Sequence, residues 1–211
     1  MNLLQSGTRE GALKGWETRR RGFHGSSLES LYNKYTSEQQ FTIDAWSDPD
    51  STLYASMNRY LRDPKKFNEN SERYAKELDK LFIPSPYNAT VYRATERPME
   101  LKVGDTFTDK GYVSTSLDEE FVARTFGYGL GGRQAKRFSL YRLNLKKGTK
   151  IIPISNRGES EILLSRGTKF KVTGVSEKKF TAQFTDTLAN PDRTSIDVIH
   201  TAVVYDLEII K

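Results

Sequence analysis

Two glutamates one residue apart, Glu159 and Glu161, stand in the stretch NRGESEILLSRGTKF, between Gly158 and the aliphatic run Ile162-Leu163-Leu164. In extended backbone an i, i+2 pair projects to one side of the strand. Carboxylates held that close repel, so their pKa values separate, which suits two acid/base duties or the stabilisation of a developing positive charge. A solvated loop with two surface acids is the plainer alternative, but the aliphatics directly after Glu161 argue against full exposure of both. A second group is Val91-Tyr92-Arg93-Ala94, where an arginine interrupts an apolar strand. Facing inward, its guanidinium needs a phosphate or carboxylate; facing outward, it is an ordinary member of an alternating strand. The third is Gly111-Tyr112-Val113-Ser114-Thr115-Ser116. Alternation puts the hydroxyls of Ser114 and Ser116 on one face and Thr115 on the other, where the serines can hold a ligand or orient a carboxylate.

Carboxylates, hydroxyls and arginines must carry any catalysis, because the other common groups are missing. The chain has no cysteine and two histidines, His24 and His200. Thiol nucleophiles, disulfides and thiolate metal sites are excluded, as is a histidine-rich zinc centre; no metal is expected. His24 lies in a Gly/Ser stretch and His200 ends an apolar alternation, so neither has the surroundings of a catalytic base. The net charge of +6 over 211 residues suits an anionic ligand, but it is small for this length, and the run Arg19-Arg20-Arg21 is the main basis for a nucleic-acid partner. No apolar run approaches the roughly eighteen residues of a membrane span, so no membrane partner is expected. The N-terminus lacks the continuous apolar stretch of a signal peptide.

The elements that must position these groups follow from periodicity. Residues 1–35 mix glycine, serine and arginine without a sustained period and read as a basic, flexible leader. Residues 36–211 read as one domain, with a helical part over 36–86 and a β-rich part over 87–211. Leu53, Met57, Tyr60 and Leu61 share one helix face, and Asp63-Pro64 stops that helix. A further helix is expected to open at Asn70-Ser71 and to carry Tyr74, Leu78, Leu81 and Phe82. From Tyr87 the period becomes strand-like: ATVYRAT, DTFTDKGYVSTS, KRFSLYRLNL, TKIIPIS, SEILLSR, TKFKVTGVSEKKFTAQF and DVIHTAVVYDLEII. One helical insertion spans roughly 117–126. The fold class expected is α+β, with N-terminal helices on a mostly antiparallel, two-sheet β core.

Taken in order, arginine, Ser-Thr-Ser and Glu-x-Glu resemble the R-S-E class of mono-ADP-ribosyltransferases, which includes clostridial binary-toxin enzymes, vertebrate ecto-transferases and bacteriophage transferases. The resemblance covers roughly residues 87–211, with the helical segment matching the usual N-terminal helices. It implies NAD as co-substrate, bound by Arg93 chiefly through its phosphates. Backbone groups at Ala94, where many members have glycine, are expected to hold the nicotinamide amide. Ser114 would bond the nicotinamide ribose region and orient the catalytic acid, with Thr115 and Ser116 supporting the strand. Phe126, in Ala123-x-x-Phe126, resembles the aromatic that packs on nicotinamide, with Phe121 its rival. Arg133, in the glycine-rich stretch GYGLGGRQAKR, would contact phosphate.

The class further implies that Glu161 bonds the ribose 2′-hydroxyl and stabilises an oxocarbenium-like centre, while Glu159 orients and deprotonates an arginine acceptor on a host protein. An NAD glycohydrolase side activity and action in a host cytosol, after phage or toxin-type delivery, belong to the same expectation. A non-catalytic phage head-associated module, a nucleic-acid binder using the arginine run and a nucleotide-independent glycosidase are the alternative readings of the same residues.

Overall fold

The computed structural model describes residues 25–48, 51–95, 99–129, 137–154, 160–185 and 195–210. Among the described residues four helices come first: α1 (Gly25–Tyr32), α2 (Ser37–Ser47), α3 (Leu53–Arg62) and α4 (Glu69–Asp79). Their ends are set by side chains that satisfy the open first-turn N–H groups. Thr36 and Gln39 form a reciprocal capping box on α2. The Asn68 side chain accepts from the Ser71 N–H and starts α4 at Glu69, ahead of the Asn70-Ser71 start that the sequence suggests. Asp63 ends α3 and caps the short 3₁₀ turn Pro64–Lys66. None of the described helices is long and apolar enough to cross a membrane.

Helix α1 corrects the expectation of a leader reaching residue 35. Leu28 and Leu31 are both buried in the β core. Two leucines taken from water are worth about 1.5–3 kcal/mol each, enough to fix a short helix whose own propensity is weak.

The strands are β1 (Ile83–Pro84), β2 (Ala89–Thr95), β3 (Thr106–Asp109), β4 (Val113–Ser116), β5 (Arg137–Leu145), β6 (Lys150–Ile154), β7 (Glu161–Leu164), β8 (Thr168–Thr185) and β9 (Ser195–Ile210). They form one ladder of nine in the order β1-β6-β7-β4-β2-β5-β9-β8-β3. All pairings are antiparallel except β5 with β9. The α+β class is as expected, but where two sheets were expected the strands form one continuous sheet, whose two halves are β1-β6-β7-β4 and β2-β5-β9-β8-β3. They join at one paired position, Tyr92 with Ser116. Their inner faces share a single apolar cluster that draws Val113, Ile162 and Leu164 from one half and Leu143, Phe170, Val172 and Leu207 from the other.

Two further clusters cover the opposite face. Helices α2 to α4 pack Ile43, Trp46, Met57, Ala75 and Leu78 on Ile152, Ile154 and Leu163. The insertion after β4 forms α5 (Glu119–Val122), which widens into a π-helical turn over Ala123–Gly129. It packs Val122 and Ala123 with Ala94, Phe138 and Leu140. Gly127 lies so close to the Phe138 ring that a Cβ there would stand 2.5 Å from ring carbon.

Tyr112 joins the helices to β4. It is fully buried, edge-on to Trp46 at 5.2 Å and stacked with Phe82 at 5.9 Å. Its hydroxyl donates to Asp79 Oδ1 at 2.7 Å, and Arg166 Nη2 holds the other oxygen at 2.6 Å. Its backbone N–H donates to Asn58 of α3 at 2.9 Å. Burial and the Asp79 carboxylate both push the Tyr112 hydroxyl pKa up, so it stays protonated and a donor.

Tyr112→Phe removes one hydrogen bond to a charged group and is expected to cost about 1.5–3 kcal/mol, read as a lower urea midpoint at unchanged slope. A shift below about 0.5 kcal/mol would show that the hydroxyl does not anchor β4. Gly127→Ala overpacks against a fully buried ring and is expected to cost about 1–3 kcal/mol in the same assay; a neutral outcome would mean that the π-turn shifts freely.

Candidate active site

A single row of paired residues crosses the ladder: Ile154, Glu161, Ser116, Tyr92, Arg142 and Asp206, from β6, β7, β4, β2, β5 and β9. Directly paired residues project to the same face, so Glu161, Ser116 and Tyr92 stand side by side there. Ser114, two residues back along β4, shares this face. The helical cluster flanks them over β6 and β7, and the α5 segment flanks them over β2 and β5. The serines and Glu161 therefore occupy the strip between two walls. The register pairs Ser116 with Glu161 and Ser114 with Leu163, so Ser116 is the directly opposed hydroxyl and Ser114 lies diagonally.

The backbone here is over-determined. Thr115, on the inner face, donates from Oγ1 to the Ile162 carbonyl at 2.7 Å and locks β4 to β7. Ser116 Oγ accepts from the Asp118 N–H at 3.1 Å, while Asp118 caps α5 through the Phe121 N–H. Ser160, directly before Glu161, has φ +47°, and it is the non-glycine residue in the left-handed region among those described. Its carbonyl accepts from the Leu117 N–H at 3.2 Å, so the turn entering β7 is tied to the end of β4. A non-glycine residue pays conformational energy in this region, and such residues concentrate at functional sites. This turn also corrects one sequence expectation. The extended geometry that would put Glu159 and Glu161 on the same side does not run through Ser160. Glu159 itself lies outside the described residues.

Arg93 leaves β2 on the face opposite to Tyr92, with Val91 and Thr95. It reaches the serine strand through the split between β2 and β4, where Nη1 donates to the Ser114 carbonyl at 3.0 Å. Burial pulls the guanidinium below the ordinary arginine pKa; Asp109, Tyr141 and Glu161 act to raise it, and the neighbouring Arg62 to lower it. Arg93, Ser114 and Glu161 are thus brought to one place from three separate strands. Arg93 also lines a cleft of about 420 Å³ on the inner face, together with Arg62, Asp109, Lys110, Phe107 and Tyr141.

The remaining expected residues are placed as follows. Ala94 is buried in the α5 cluster, where its methyl packs beside Val122 and Ala123. Phe121 packs partly against that cluster, whereas Phe126 is about half exposed on the π-turn. The two rings meet edge to face at 6.2 Å. Arg133 lies outside the described residues. Sequence reasoning did not find Arg62 and Asp109, which form a bidentate pair at 2.9 and 3.0 Å across 47 positions of sequence. Their one local signal is Gly111: a Cβ there would meet the Asn58 side chain at 2.5 Å and Arg62 at 3.1 Å, so α3 can approach only a glycine.

The architecture has known counterparts. The chain aligns over 89% of its length with Vis toxin, an ADP-ribosyltransferase from Vibrio splendidus, with TM-score 0.60 and 17% identity, covering 83% of that chain. It aligns with Plx2a, an ADP-ribosyltransferase toxin from Paenibacillus larvae, over 94% of both chains, with TM-score 0.56 and 18% identity. Alignment with the enzymatic component C2-I of the C2 toxin from Clostridium botulinum covers 88% of this chain and 47% of that one, with TM-score 0.58 and 18% identity. No curated protein sequence matches the chain. The sequence profile of the ADP-ribosyltransferase exoenzyme family matches residues 21–202, most of the chain and part of the expected leader. With the arginine, Ser-Thr-Ser and Glu-x-Glu elements in order along the matching fold, the chain belongs to the ADP-ribosyltransferase exoenzyme family, NAD-dependent mono-ADP-ribosyltransferases of the R-S-E class.

Proposed function

We propose that the protein transfers ADP-ribose from NAD to an arginine side chain of a host protein and releases nicotinamide. The observation that carries this reading is the convergence of Arg93, Ser114 and Glu161, with Ser116 opposite Glu161. Support for a guanidinium acceptor comes from Glu159 two residues before Glu161, and from the relative Vis, solved in complex with agmatine, itself a guanidinium compound.

On this reading Arg93 holds the phosphates of NAD, and Ala94 meets the nicotinamide amide through its backbone. Phe126 packs on the nicotinamide ring, its half-exposed side chain leaving a face available. Arg133 adds a phosphate contact. The glycosidic bond to nicotinamide breaks, and its electron pair neutralises the ring nitrogen. Positive charge develops on the ribose, where the Glu161 carboxylate bonds the 2′-hydroxyl and stabilises it. Ser114 orients that carboxylate. The acceptor guanidinium is protonated and a poor nucleophile until Glu159 takes a proton, after which its nitrogen forms the new bond to the sugar. Water in the acceptor's place gives NAD hydrolysis as a side reaction.

The test is incubation with labelled NAD and either agmatine or a host-cell lysate. Glu161→Gln is expected to lose both transfer and nicotinamide release, by on the order of a hundredfold or more. Glu159→Gln is expected to lose transfer to agmatine and to retain nicotinamide release. Equal activity in the wild type and both variants would refute these roles, and labelling of residues other than arginine would refute the acceptor.

A further inference from the structure

The cleft on the inner face has a charge pattern that the roles above leave unexplained. Arg93 enters it from β2, Arg62 from the last turn of α3, and Lys110 from the turn between β3 and β4. Phe107, Val113, Tyr141 and Phe170 are among its apolar lining residues. One carboxylate, Asp109, stands among these cations. It holds Arg62 through both oxygens, and its Oδ1 also accepts from the Gly111 N–H at 2.9 Å. Three cations face the single carboxylate of the cleft lining, and even with Glu161 acting on Arg93 from β7 they leave a local excess of positive charge beside an apolar surface. Like charges that close raise each other's energy, and Arg62 does act on Arg93 in that sense. A ligand bearing two adjacent negative charges removes the excess.

We propose that Arg62 and Lys110 are diphosphate-binding residues that work together with Arg93, the ligand class being a dinucleotide or nucleoside diphosphate sugar. This inference rests on the reading of NAD as the substrate and assigns two residues to its diphosphate. Asp109 serves as a positioning residue: with one face of the Arg62 fork fixed, the remaining N–H groups are pre-oriented and little side-chain entropy is lost on binding. Lys110 is exposed and contributes as a mobile point charge.

The experiment measures binding of NAD, ADP-ribose and nicotinamide riboside, which lacks phosphate, to the full chain by titration calorimetry. Wild type is compared with Arg62→Ala and Lys110→Ala, with thermal melts alongside. Each variant is expected to bind NAD and ADP-ribose about tenfold more weakly, with unchanged affinity for nicotinamide riboside and a shallower salt dependence. Retained NAD and ADP-ribose affinity in both variants overturns the proposal and leaves the transferase reading standing. Equal weakening of all three ligands also overturns it, by exposing a structural role. If Arg62→Ala does not fold, exposed Lys110→Ala decides the matter alone. Wild type that binds neither NAD nor ADP-ribose removes the NAD reading itself.

Discussion

Two halves of one ladder meet at a single bridge, Tyr92 with Ser116, and the architecture of the site depends on that economy. Had β2 and β4 paired along their lengths, backbone hydrogen bonds would fill the space into which Arg93 reaches. Because they part after one pair, a guanidinium can span the opening and donate to the Ser114 carbonyl. A buried cation is costly unless hydrogen-bonded and compensated. Asp109 on β3 and Glu161 on β7 provide that compensation from opposite halves of the ladder, so the arginine that reads as an NAD contact also helps join the halves.

The serine strand is short, and its position is fixed from outside. Tyr112 anchors its start between Trp46 and Phe82 and bonds Asp79, which Arg166 also holds. Thr115 pins its middle to β7, and the Ser160 carbonyl accepts from the residue just past its end. A strand of four residues constrained at three points has little freedom to slide. The role proposed for Glu161 requires that rigidity, since a carboxylate that stabilises a sugar cation must already be in place when charge develops. The left-handed Ser160 is where the chain stores the conformational cost of turning Glu161 into the strip.

The two faces of the ladder divide the labour. On the outer face, helices and the α5 segment wall in the serines and Glu161; on the inner face, Arg93, Arg62 and Lys110 surround an apolar cleft. Arg93 belongs to the inner face by its strand position and to the outer chemistry through the split. The proposed placement of a dinucleotide uses both regions, one for the bond that breaks and one for its charged linkage.

Much of this was legible in the sequence by itself. Period and turn chemistry gave the helices beyond α1 and nearly every strand: the ATVYRAT run became β2 residue for residue, and turns fell at Lys147-Gly148 and Arg166-Gly167, whose glycines both have positive φ. Arginine, Ser-Thr-Ser and Glu-x-Glu, read in order, carried the class. Local pattern failed where distant packing outweighed it. Residues 25–32 look like a polar leader because only two leucines mark them, yet those leucines reach a core assembled from strands more than fifty residues away. The extended reading of Glu-Ser-Glu failed because a tie to Leu117 holds Ser160 in a conformation that its own type disfavours. The Arg62–Asp109 pair, the parting of β2 from β4 and the inner cleft were decided by tertiary structure alone. The chain determines which side chains exist and how they alternate, but only the folded ladder determines which of them share a face and which meet across a gap.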